Sequence, residues 1–155
     1  MRIFEIQDIR EFTSHLFLKD HFDELQFCEA DFITFASFHL DGKRQQDYFD
    51  TDEQKQLEQE VWIHWKEIRP FCLSLIRGKR LPLSFKIVLR LPATHQLCCK
   101  IQELGEEAGK QDLFLNIMYK DKRLVCTTGA AMSGFVPGVK PGAVWDTAAE
   151  ALLRF

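Results

Sequence analysis

The sequence predicts a single-domain α+β fold over residues 1–155. The expected fold is an antiparallel sheet of two hairpins plus a central strand, packed by a long kinked helix and a C-terminal helix. Three observations carry this. Segments of strict two-residue alternation, such as 83–91, stand beside segments of helical spacing, such as 8–18. Turn signals at Asp41-Gly42 and Asp121-Lys122 sit between alternating stretches. Helices and hairpins follow no regular β-α-β order, which points away from a parallel sheet.

In chain order, "DIREFTSHLFL" places Ile9, Phe12, Leu16 and Phe17 at helical spacing, so 8–18 is expected to be a short amphipathic helix. His15 and His21 fall at or beyond its end and are expected in solvent. Residues 28–40 then read as one long strand. Its even positions, among them Ala30, Phe32, Phe38 and Leu40, are mostly apolar, and its odd positions carry Glu29, Asp31 and His39. A two-residue turn at Asp41-Gly42 would set Leu40 opposite Lys43, His39 opposite Arg44, Ser37 opposite Gln46 and Phe35 opposite Tyr48.

Thr51 with Gln54 suggests a capping box opening a long helix. Its core stripe would be Leu57, Val61, His64, Trp65 and Ile68; Pro70 either kinks it or starts a new helix, and Gly78 ends the segment. "LSFKIVLRL" reads as a strand with Leu83, Phe85, Ile87, Leu89 and Leu91 inward and Lys86 and Arg90 outward. Residues 94–104 read as a helix, with a polar loop around Gly105 and Gly109. "DLFLNIMYKDKRLVCTTG" reads as the second hairpin. "AVWDTAAEALLRF" reads as a helix burying Trp145, Ala148, Ala149 and Leu152.

The composition bounds the function. A chain of 155 residues with 46% hydrophobic residues and 14 Phe can bury one aromatic-rich core. No run of about 18 apolar residues occurs, and the charged start, Met1-Arg2-Ile3-Phe4-Glu5, lacks signal-peptide character, so a cytoplasmic protein is expected. Cys28, Cys72, Cys98, Cys99 and Cys126 form no C-x-x-C pair and are read as reduced thiols, with no metal and no cofactor expected.

The formal charge of −3 divides unevenly. Residues 20–60 hold twelve acidic and three basic side chains, net −9, and residues 61–100 hold eight basic and one acidic, net +7. Within the basic part, Arg77, Lys79 and Arg80 cluster, and Lys86 and Arg90 project from one strand. These five are the candidate anion-binding residues, for phosphate or a nucleic-acid backbone. The aromatic interleaving of a base-stacking surface is missing, and the pI of about 6.0 argues against general DNA binding.

Other chemistry is weakly signalled. Along one regular strand Asp31 and His39 would be about 27 Å apart, too far to share a metal ion. Arg44 opposite would disfavour protonated His39. Glu29 and Asp31 are read as neighbours on a wet face. His64 on an apolar stripe is read as a core histidine, with a general base in a small hydrolase-like enzyme as the rival. Gly129 and Gly134 in "TTGAAMSGF" have P-loop separation but lack the lysine that reaches phosphate.

The segments "ITFASFHLDGK", "LFLNIMYKDKRLVCTTG" and "VWDTAAEALL" resemble an uncharacterised family of small proteins from Clostridia-type bacteria. That family has a similar "TF…F…DG" hairpin, a strand ending in "CTTG" and a tryptophan in its last helix. The resemblance covers almost the whole chain and implies the fold; it brings no activity and no site residue. The expected role is therefore binding, without catalysis. Ile33, Phe35 and Tyr48 would form an apolar island used for self-association, as a homodimer, or for a protein partner. Anion or nucleic-acid binding through 77–90 is the alternative, and no membrane partner is expected.

Overall fold

The structure is a computed structural model that describes residues 1–57, 60–92, 111–132 and 143–155. Seven antiparallel strands form one sheet: β1 (Ile3–Ile6), β2 (Gln26–Ile33), β3 (Ser37–Asp41), β4 (Ile63–His64), β5 (Ser84–Arg90), β6 (Gln111–Lys120) and β7 (Arg123–Met132). Their order is β1-β7-β6-β5-β2-β3, with the short β4 pairing with the start of β2 beside β3. Four helices are described: α1 (Ile9–Phe17), α2 (Thr51–Leu57), α3 (Trp65–Ile76) and α4 (Ala143–Leu152). The α+β class holds, and no described helix is long and apolar enough to cross a membrane.

Alternation decides which sheet face becomes core. Ala30 and Phe32 on β2, Phe85, Ile87 and Leu89 on β5, and Leu115 and Ile117 on β6 are buried with Phe12, Leu16 and Phe17 of α1 and Trp65 of α3. Trp145 and Ala149 of α4 join the same cluster. Phe17 edges onto Phe85 with ring centroids 5.7 Å apart, fixing α1 against the centre of the sheet. Two buried indoles find acceptors: Trp65 Nε1 donates to Leu16 O at 2.8 Å, and Trp145 Nε1 to Phe114 O at 2.9 Å. Each hydrogen bond ties a helix to a neighbour across the core.

The second hairpin turns where its sequence signal lies, with Asp121 and Lys122 both at positive φ, 52° and 61°. α1 buries its expected face, and α4 buries Trp145 and Ala149 with Ala148 and Leu152 packed against the core. The expected helix 94–104, the loop around Gly105 and Gly109, Cys98, Cys99 and Gly134 lie outside the described residues.

The first hairpin differs from expectation. Residues 28–40 are two strands: the chain reverses through Thr34, Phe35 and Ala36, pairing Glu29 with Asp41, Asp31 with His39 and Phe32 with Phe38. The three-residue connection pairs even with even and odd with odd positions, so the inside-outside alternation runs unbroken through the reversal. Gly42 serves a close approach instead of a two-residue turn. A Cβ there would lie 1.9 Å from the Phe27 carbonyl oxygen, and the Gly42 N–H donates to Cys28 O at 2.7 Å. The register shifts beside it, between Phe27 and Glu29, where β2 changes partner from β4 to β3.

The expected long helix is likewise divided. α2 ends at Leu57, and Asp50 caps it: Glu53 N–H donates to Asp50 Oδ1 at 2.8 Å and Asp50 N–H to Glu53 Oε2 at 3.2 Å. That replaces the Thr51 and Gln54 pair. The chain then forms β4 before α3 begins, so His64 is the residue before the helix and Val61 is exposed. Pro70 sits inside α3. His15 and His21 are half-buried, where solvent exposure was expected; the ring of Phe155 stacks on His15 with centroids 3.9 Å apart. Strand β1, which no sequence signal marked, pairs with β7 from Ile3 opposite Thr127 to Ile6 opposite Leu124.

Candidate binding groove

The candidate residues divide among three places. Arg77, Lys79 and Arg80 follow the last turn of α3, where the Arg77 N–H still bonds Leu73 O at 2.8 Å. Positive charge there complements the negative end of the helix dipole. Lys86 projects from the opposite sheet face, in register with Asp31. Arg90 is half-buried and engaged by Gln26 Oε1 at 3.2 Å and by the carboxylate of Asp112. The five-residue basic patch is therefore three cations on one side, one on the other and one tied up internally.

The apolar candidates divide too. Phe35 occupies the turn between β2 and β3, is 94% exposed, and edges onto Phe38 with centroids 5.7 Å apart. Ile33 is at the end of β2. Tyr48 lies in a single 3-10 turn, Gln46–Tyr48, and edges onto Phe49, so the expected pairing of Phe35 with Tyr48 does not form. The reversal at 34–36 is the reason, since it ends β2 before Phe35.

What the sequence placed in separate proposals the fold joins. A groove of about 780 Å³ runs between the β2–β3 turn and the end of α3, lined by Thr34, Phe35, Phe38, Leu75, Ile76, Leu83 and neighbours, with Arg77, Lys79 and Arg80 along it. Its size is that of a ligand site. Leu81 and Leu83, both lining it, are 75% and 69% exposed, and Leu83, expected inward, is held by its N–H on Ile33 O at 2.8 Å. Among the described residues Arg77, Lys79 and Arg80 enter no ion pair, and the buried Thr34 Oγ1 has no hydrogen-bond partner. The groove thus offers an apolar floor and three cations in no described ion pair.

Several titratable groups elsewhere are paired or buried. Asp31 and His39, expected far apart, form an exposed pair at 2.7 Å, and that hydrogen bond raises the His39 pKa. Arg44, expected opposite His39, is buried instead; its guanidinium meets Glu67 Oε2 at 3.0 Å and Glu60 Oε2 at 3.2 Å. The backbone N–H of His64 donates to Glu67 Oε2 at 2.6 Å, and His64 lines neither described cavity. Burial raises the thiols of Cys28 to about 11 and of Cys72 and Cys126 to about 12, so these three free cysteines are poor nucleophiles. A smaller cavity of about 250 Å³ lies at the β2 irregularity, against Cys28, Glu29, Asp41, Trp62, Val88 and Phe114. Among the described residues no group of three His, Cys, Asp or Glu is placed to hold a metal ion.

A family model described as a family of unknown function (DUF5721) matches residues 15–154. No curated protein and no solved structure matches the chain.

Proposed function

The chain belongs to DUF5721, a family of unknown function, and we propose from its own surface that it is a non-catalytic binding domain whose recognition site is the groove at the end of α3. One observation carries the reading: exposed Phe35 and the cations Arg77, Lys79 and Arg80 share one concavity. Exposed apolar surface beside uncommitted charge favours a partner that is itself apolar and acidic. A second copy of the chain, with its acidic 20–60 segment, has that character, so self-association belongs to the same reading.

Sedimentation velocity at low and high salt tests it. A dimer at low salt that dissociates in part as the Debye length falls from about 30 to 8 Å supports self-association through charge and apolar contact. Phe35→Ser should then give a monomer at both salts. A monomer throughout, with no binding of acidic peptides, overturns the reading. A monomer that shifts only with an oligonucleotide assigns the cations to nucleic acid instead.

A further inference from the structure

The strand beside the groove is a sheet edge, and its free side can be derived. The Thr34 N–H donates to Ala36 O at 2.9 Å, and the Gly42 N–H donates to Cys28 O at 2.7 Å. In an antiparallel ladder, residues that bond the partner strand alternate with residues whose N–H and C=O point away from it. Counting from either hydrogen bond gives one answer: Phe38 and Leu40 bond β2, while Ser37, His39 and Asp41 turn their main-chain groups outward. All three are exposed, and among the described residues β3 has no second partner strand.

The side chains agree. Ala30 and Phe32, on the inner face of β2, are 1% and 0% exposed, whereas Phe38 and Leu40 on the same face of β3 stay half-buried. A strand laid along β3 would cover them. Phe38 also lines the groove, so that strand would have β3 on one side and the last turn of α3 on the other. Other features set its polarity. Arg77, Lys79 and Arg80 stand near the Ser37 end, whereas Asp41, with Glu29 opposite, makes the far end acidic. The other edge strand, β1, lines neither described cavity.

We infer that the groove's occupant is an extended protein segment that adds to the sheet along β3, its apolar side chains on Phe38 and Phe35 and its acidic end at Arg77, Lys79 and Arg80. This rests on the groove being the recognition site and specifies how the partner is held. Main-chain hydrogen bonds to Ser37, His39 and Asp41 would supply affinity, and the groove and its cations specificity.

The test uses two fluorescent peptides of alternating leucine and serine, with glutamates at the C-terminal end of one and the N-terminal end of the other. Strand direction decides which of the two binds. The binding peptide should lose affinity with added salt and with Arg77→Ala, Lys79→Ala and Arg80→Ala together. N-methylation at alternate residues should weaken it about tenfold or more, as loss of main-chain donors requires. His39→Pro should weaken it similarly, since it removes an outward N–H and no bond to β2, while His39→Ala should not. The N-methylated peptide needs no altered protein, so a poorly folded proline variant leaves the test intact. If both forms of the peptide bind equally, strand addition is wrong and the groove reading stands. If neither peptide binds, both fail.

Discussion

His39 Nδ1 and Asp31 Oδ1 lie 2.7 Å apart across the β2–β3 hairpin, eight residues apart in sequence and directly opposite in register. The hydrogen bond to Asp31, then its charge, raises the His39 pKa above 6.5, with Glu29 and Asp41 adding to it. A raised folded-state value means that the stabilising contribution is complete below the unfolded value and is lost as pH rises through the folded one. Both side chains are more than half exposed, so the effect on stability should be slight. Proton NMR should show His39 titrating above 6.5 and Asp31→Asn bringing it back down.

Gly42 should tolerate no side chain. In Gly42→Ala the new Cβ would meet the backbone of Phe27, a contact no rotamer can relieve. The chain must move where β2 exchanges β4 for β3, and a loss of about 3 kcal/mol or more is expected. Urea denaturation measures it; an unchanged midpoint would show that the two backbones can separate there without cost.

Arg44 is buried, its side chain 3% exposed, whereas Glu60 and Glu67 remain 40% and 38% exposed. Removing the cation leaves carboxylates that water can reach; removing both carboxylates leaves a buried charge unpaired. Glu60→Gln with Glu67→Gln should therefore cost about 3 kcal/mol or more, and Arg44→Met distinctly less. Burial by itself would raise the Glu67 pKa, but Arg44 and the His64 amide outweigh it and the net shift is downward. Its contribution to stability is thus present above the ordinary value of 4.5 and lost as pH falls through the lowered one. Thermal melts between pH 3 and 6 should show that loss diminished in Glu67→Gln.

The Asp121-Lys122 turn holds two non-glycine residues in the left-handed region. Lysine pays for that conformation with a clash of its Cβ, so Lys122→Gly should raise stability by about 1 kcal/mol. A melting temperature that falls would mean that glycine's extra freedom in the unfolded chain outweighs the relief.

The legible parts of the fold were those whose signal is local. Residues 8–18, 83–91 and 112–129 carry their period in neighbouring residues, and each forms the expected element, save that Leu83, expected inward, precedes the strand and is exposed. The first hairpin was misread because a three-residue reversal preserves parity, leaving nothing in the pattern between Phe32 and Phe38 to mark it. His64 and Trp65 are adjacent, so a stripe ending in Trp65 drew in a histidine that precedes the helix. The groove had no sequence signature, because Phe35 and Arg77 meet only after β5 sets the 77–83 segment beside the hairpin. Their residue types did show: a phenylalanine on a nominally polar face and three cations in four residues.

The pairing of Ile3 with Thr127 has a consequence for the order in which the molecule is made. β1 leaves the ribosome more than a hundred residues ahead of its partner, a delay on the order of ten seconds. Through that interval β7, the partner of β1 among the described strands, is missing, while β2 and β3 are already both present. β1 is therefore the last seal on the sheet. It covers Leu124 to Thr127 of β7, main-chain groups that would otherwise stand open as a sheet edge.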